Sequence, residues 1–250
     1  MTGETRLIVR ADDFGMCHAV DEAIVHAFRN GIVTVASTMA PCPWFTEAAR
    51  LAVQESLPVG VHQTLTCEWD WYRWGPLTGG PTLTGPDGSF LRTVEEVTAT
   101  VAHDDAVAEL VAQVGRFTAV GLRPEYLDHH MGSALPKAYA EVEARTGVPF
   151  LWGETYHLDS FHELTPREAG EKKQWLLDLL ASLGPGLHMV VCHPGVPGPE
   201  LASLTAPGSE PWPWAEHWRM ADLAVVTDPD VRQAVEEAGI RLVSFRDVVS

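Results

Sequence analysis

Two adjacent carboxylates, Asp12 and Asp13, end the apolar β-forming run Leu7-Ile8-Val9-Arg10-Ala11 and are followed by Phe14-Gly15. Neighbouring acids repel unless a cation lies between them or one of them holds a proton. The ends of strands in an α/β sheet are where ligands gather, so this pair raises the question of a metal. Further donors recur in comparable settings: His62 closes Val59-Gly60-Val61-His62, Asp128, His129 and His130 close Glu125-Tyr126-Leu127, and His193 follows Leu187 to Cys192 and precedes Pro194-Gly195. Imidazole nitrogen with carboxylate oxygen suits Zn²⁺, Fe²⁺, Mn²⁺ or Ni²⁺. Two histidines and one carboxylate with open positions make a catalytic rather than a structural donor set. Each group alone has a plainer explanation. An Asp pair can cap a helix, a lone histidine is more often a hydrogen-bonded core residue, His129-His130 can be chance among eleven histidines, and His193-Pro194-Gly195 can be a turn. Recurrence at the same end of four strands sets those explanations aside.

The elements that must position these groups alternate. The pattern predicts strands at about 6–11, 32–39, 59–62, 125–130, 148–152, 187–192 and 240–245. Amphipathic helices are expected between them, including about 18–29, 136–145 and 165–183. Asn30-Gly31 is expected to end the first helix in a left-handed conformation. Thr93-Val94-Glu95-Glu96 reads as a capping box, and Asp228-Pro229 as a helix start. Alternation of this kind implies a parallel sheet with helical crossovers. About seven strands in 250 residues fit one (β/α) barrel domain, 1–250, better than two domains. A doubly wound open sheet is the competing topology. Two segments break the pattern, Thr66 to Arg92 and Val196 to Pro213. Both are rich in Gly, Pro and Trp, and they are expected either to frame a substrate or to pack onto the barrel.

Composition excludes several classes. A net charge of -17 opposes nucleic-acid binding and anionic membrane surfaces. The 46% hydrophobic fraction is ample for a core. Cys17, Cys42, Cys67 and Cys192 form no CxxC pair and read as reduced packing residues of a cytoplasmic protein. There is no phosphate-cradling glycine loop and no Gly-x-Ser-x-Gly elbow.

Ala11-Asp12-Asp13-Phe14-Gly15, Val59-Gly60-Val61-His62-Gln63-Thr64-Leu65, Leu127-Asp128-His129-His130 and His193-Pro194-Gly195, in this order and spacing, resemble the YdjC-like carbohydrate deacetylases, the group that includes bacterial chitooligosaccharide deacetylase. The resemblance covers nearly the whole chain. It implies a deformed, TIM-like (β/α) barrel of about seven mainly parallel strands, and metal-dependent removal of N-acetyl groups from amino sugars. It implies one divalent ion, Mg²⁺ or Zn²⁺, held by Asp13, His62 and His130, with Asp12 as general base and His193 as an acid or oxyanion stabiliser. The family usually writes its fourth motif Asp-Ser-His-Gln-His, whereas this chain reads Asp128-His129-His130-Met131-Gly132. The ligand position is kept and the contacts beyond it are changed.

On this reading the metal lowers the pKa of a bound water from ~16 toward ~7. Asp12 takes its proton, a protonated His193 assists the oxyanion and the leaving amine, and Asp128 orients a ligating histidine. Trp69, Trp71, Trp74 and Trp212 are candidate sugar-stacking residues. The partner is a small carbohydrate, with a homodimer left open. The alternatives are a metal-dependent hydrolase of another amide or ester, and a non-catalytic sugar- or metal-binding homologue.

Overall fold

A computed structural model describes residues 3–132, 135–205 and 214–248. In chain order it contains β1 (Thr5–Phe14), α1 (His18–Asn30), β2 (Val35–Thr38), α2 (Phe45–Glu55), β3 (Val59–Gln63), α3 (Val94–Thr100), α4 (His103–Ala119), β4 (Leu127–His129), α5 (Pro136–Thr146), β5 (Ser160–Glu163), α6 (Lys172–Ser182), β6 (Gly186–Cys192), α7 (Pro199–Ala202), α8 (Glu216–Val226), α9 (Pro229–Glu237) and β7 (Arg241–Leu242). The strands run in the order β4-β3-β2-β1-β6-β5, with β7 beside the start of β1. Every ladder between these strands is parallel. The sheet curls into an open half-barrel, so all seven strands deliver their C-terminal ends to one mouth.

Alternation along β1 explains how the barrel is filled. Leu7, Val9 and Ala11 pack outward against the helices. Ile8 points inward, with Val35, Tyr126, Met189, Val191 and Phe245 forming the apolar floor. Arg10 and Asp12 continue the inward row, so the interior passes from hydrocarbon to ions toward the mouth. Gly60 in β3 is required by this filling, because a Cβ there would lie 2.4 Å from the Tyr126 ring.

Several boundaries differ from the sequence expectation. The stretch 148–152 contributes only a single bridge, Leu127 with Phe150. The fifth strand of the sheet is instead β5, at the opposite edge beside β6, with intermediate and exposed residues alternating and no buried apolar run. Thr165-Pro166 does not start a helix; α6 begins at Lys172. Gly31 is extended, not left-handed, with φ -118°. It is glycine because a Cβ would meet the Val226 carbonyl oxygen at 2.5 Å. The capping box at Thr93 and Glu96 and the Asp228 cap form as expected. All four cysteines are buried and unpaired, and burial pushes the Cys17 and Cys67 thiols up to about 12. Among the described residues no helix is long and apolar enough to cross a membrane.

Candidate metal centre and its pocket

In a regular strand Asp12 and Asp13 would point to opposite faces. Here the β1–β2 register slips: Ala11 pairs with Ala36, while Phe14 pairs with Thr38. The extra residue is accommodated by Asp13, whose φ is +72°. Left-handed backbone at a non-glycine residue costs of order 1–3 kcal/mol, least for Asp and Asn. The bulge turns both carboxylates into the same pocket. Cations on either side separate them. Arg10 grips Asp12 with Nε and Nη2 at 2.6 and 2.7 Å, and Arg219 of α8 grips Asp13 Oδ2 at 2.6 Å.

The remaining oxygen, Asp13 Oδ1, accepts no hydrogen bond. It faces His62 Nε2 at 3.6 Å and His130 Nδ1 at 3.4 Å, and the two ring nitrogens lie 3.3 Å apart. Each histidine has its other nitrogen on a carboxylate: His62 Nδ1 on Asp128 at 2.9 Å, and His130 Nε2 on Glu68 at 3.1 Å. Those carboxylates can hold one ring proton each, so a cation that displaces the second proton of His130 would find both inner nitrogens as lone-pair donors. Three donors at mutual distances of 3.3–3.6 Å match the ligand edges around an ion with bonds of about 2.0–2.2 Å, roughly 3.0 Å in an octahedron and 3.4 Å in a tetrahedron. The charges agree. Asp12, Asp13, Asp128 and Glu68 are four buried carboxyl groups facing two buried guanidinium groups, Arg10 and Arg219, a deficit that one divalent cation neutralises.

The same pocket attracts protons. Burial pulls His130 downward most strongly, but Glu68 and Asp13 outweigh it and carry it up to about 10. Burial pushes Asp13 upward, and Arg219 with the neighbouring histidines holds it well below the ordinary carboxylate range. Asp128 behaves likewise, with burial opposed by Arg10, His62 and Ser37. A second grouping, Asp12, His62 and Asp128, also brings three donors together. Arg10 already occupies both of its carboxylates, at 2.6 and 2.7 Å, so the first grouping is the better cation site.

His193, at the end of β6, puts Nε2 3.9 Å from Asp12 Oδ2. Burial outweighs the attraction of Asp13 and Asp12 and pushes it down to about 4. Burial thus favours the neutral ring, so a role as proton donor requires His193 to gain a proton first. His129 is packed among Tyr139, Phe150 and Trp152. Gly132, with φ +69°, lines the pocket beside it.

The cavity over these groups holds about 350 Å³ and is walled by Trp152, Phe161 and Trp214; Trp214 stands at the end of one of the two loops expected to frame a substrate, and Trp152 and Phe161 were not singled out from the sequence. Of the tryptophans that were, Trp69 and Trp74 are buried in the core. Trp74 donates to the Thr66 carbonyl and packs edge-on to His130. Trp71 is 87% exposed and away from the cavity, and Trp212 lies outside the described residues. The segment 66–92 therefore works as a brace, anchored by its buried Trp69 and Trp74, that carries Glu68 to His130. Arg10 was detectable, since it shares the inward face of Asp12 two residues on. Glu68 and Arg219 carried no signal, because only the folded chain brings residues 68, 130 and 219 to one point.

Fold and site together define a class: an open parallel α/β barrel with a two-histidine, one-aspartate donor cluster at its C-terminal mouth. The chain belongs to the YdjC-like protein family, whose model matches residues 6–237. This bears out the resemblance read from its motifs. It is 33% identical over 251 residues to a carbohydrate deacetylase of Geobacillus stearothermophilus, covering 96% of each chain. It is 32% identical over 268 residues to a chitooligosaccharide deacetylase of Yersinia pestis, covering 98% of this chain and 99% of that one. The fold matches an Enterococcus faecalis protein described as acting in cellobiose-phosphate cleavage, with TM-score 0.83, 22% identity and coverage of 99% and 100%. It also matches a family 4 carbohydrate esterase of Streptomyces lividans, solved with acetate, with TM-score 0.56, 12% identity and coverage of 98% and 95%.

Proposed function

We propose that this protein is a metal-dependent hydrolase that removes N-acetyl groups from amino sugars or short N-acetylated oligosaccharides. The observation that carries the reading is the convergence of Asp13 Oδ1, His62 Nε2 and His130 Nδ1 beside Asp12, under a cavity with aromatic walls. Its relatives' names point the same way. Asp13, His62 and His130 would hold one divalent ion. Two nitrogen donors favour Zn²⁺ over Mg²⁺, which prefers oxygen. Such an ion supplies Lewis acidity and an acidified water. The buried, unpaired cysteines support a reducing, cytoplasmic setting.

The chain's own residues do the rest. Asp12, fixed by Arg10, removes a proton from the attacking water as its oxygen bonds to the acetamide carbon. His193 Nε2 enters the cycle as an acceptor, because the neutral ring has no proton there to give. It takes the proton from the side of Asp12 and passes it to the sugar nitrogen as the C–N bond breaks. The products are acetate and the free amine. Trp152, Phe161 and Trp214 offer faces for a sugar ring and exclude water. A cavity of about 350 Å³ suits one sugar unit. A second cavity shares Phe161 and Glu163 with it and continues past His162 and Arg167, which leaves room for another sugar.

Acetate release from N-acetylglucosamine oligomers by zinc-loaded protein tests the proposal. Release expected from the wild type must vanish with Asp12→Asn. A wild type that releases no acetate but cleaves a simple ester would replace this reading with an esterase on the same scaffold.

A further inference from the structure

Three buried side chains outside the metal centre form one continuous chain that ends on His193. His193 Nδ1 lies 2.8 Å from Thr165 Oγ1. The Thr165 hydroxyl donates to Asp222 Oδ2. The same oxygen accepts the His193 backbone N–H at 2.8 Å, and Lys172 is paired with Asp222 Oδ1. Lys172 also donates to the Trp218 carbonyl at 3.1 Å. Thr165, Lys172 and Asp222 are completely buried. They come from the loop after β5, from the start of α6 and from α8. A buried Lys–Asp pair is weak evidence for stability, because desolvation cancels much of its attraction. What it does here is fix the direction of a proton.

Resting on the deacetylase reading above, we propose that Thr165, anchored by the Asp222–Lys172 pair, is a positioning residue that sets the tautomer of His193. Asp222 receives three donors: an ammonium, a backbone N–H and a hydroxyl. Burial favours its protonated form, but the Lys172 ammonium paired with Oδ1, together with the N–H and O–H donors on Oδ2, holds it as an accepting carboxylate. Thr165 has one hydroxyl hydrogen and spends it on Asp222. Its oxygen can then only accept from His193, which places the imidazole proton on Nδ1. Nε2 is left bare, facing the reaction side 3.9 Å from Asp12. A protonated Asp222 would reverse both hydrogen bonds and place the proton on Nε2, the wrong end for a group that must first accept.

Long-range ¹⁵N–¹H correlation on zinc-loaded protein reads the tautomer directly. The wild type is expected to show His193 protonated at Nδ1 and bare at Nε2. Thr165→Val should mix the tautomers and lower kcat about 10- to 100-fold on N,N′-diacetylchitobiose, with KM and zinc content unchanged, while Thr165→Ser restores both signals. A His193 carrying its proton on Nε2 in the wild type overturns the proposal, and needs no variant to fold. So does a Thr165→Val enzyme within twofold of wild-type kcat, or a Thr165→Ser enzyme as impaired as the valine variant. Absence of acetate release by the wild type would instead remove the deacetylase reading, and the tautomer measurement would still decide the role of Thr165.

Discussion

Asp128→Asn is the sharpest probe of the candidate metal centre, because Asp128 touches no substrate space and yet controls a ligand. One of its oxygens takes His62 Nδ1 at 2.9 Å and Ser37 Oγ at 2.8 Å. The other lies 2.7 Å from Arg10 Nη1. An asparagine cannot satisfy both sides. If its amide oxygen stays on His62, its NH₂ meets the guanidinium at 2.7 Å, donor against donor. If it turns over, the NH₂ faces His62 Nδ1, and the ring must move its proton to Nε2, the nitrogen that faces Asp13. The first choice leaves a buried donor unpaired, at about 1–3 kcal/mol. The second removes a ligand. Arg10 keeps Asp12 in either case, so the fold survives. Loss of such an orienting carboxylate weakens metal binding by roughly 10- to 100-fold, or about 1.4–2.7 kcal/mol. In a domain of this size each kcal/mol lowers Tm by roughly 2–4 °C. Zinc titration calorimetry and thermal melts of the apo protein measure the two effects separately. Zinc affinity within twofold of wild type would refute the assignment of His62 Nε2 as a ligand oriented through Asp128.

The two acids of the opening pair should separate under mutation. Asp13→Asn should lose bound metal by elemental analysis, whereas Asp12→Asn should keep it and lose at least about 100-fold in kcat; equal metal loss in both would merge their roles. Trp152, 43% exposed and edge-on to Phe161 at 5.0 Å, walls the cavity. Trp152→Ala should raise KM for the chitobiose about 2- to 10-fold with kcat nearly unchanged, and a kcat effect without a KM effect would contradict a stacking role. Asp21 is buried, with Oδ1 on the Gly15 N–H at 2.6 Å and Oδ2 unpartnered, and burial together with Glu47 and Glu200 pushes it up to about 8. Its folded pKa lies above its unfolded value of about 3.9, so the native state binds the extra proton and loses stability as pH rises from about 4 through 8. Asp21→Asn should therefore gain Tm over wild type as pH goes from 5 to 9, and a pH-independent difference would show that Asp21 is ionised throughout.

The sequence by itself determined the donors and their order. Asp12, Asp13, His62, Asp128, His130 and His193 all sit at strand ends, and parallel strands must bring their ends to one mouth. Strand alternation also places Arg10 and Asp12 on one face. What alternation could not give was the position of Asp13. Period two sends it away from Asp12, and only the bulge against β2 turns it back. Nor could local pattern find the carboxylate and guanidinium that complete the centre. Glu68 lies in a segment without periodicity, and Arg219 sits on a helix whose register carries no mark of function. Their partners, His130 and Asp13, are 62 and 206 residues away along the chain. The same limit explains the tryptophans. Composition identified aromatic-rich loops, but whether an indole faces sugar or core depends on which side of the brace it lands on. Trp69 and Trp74 went inward, while Trp152 and Trp214 came to wall the cavity. Residue chemistry is written locally; the charge balance of a buried site is a sum over distant segments, and only the tertiary structure performs it.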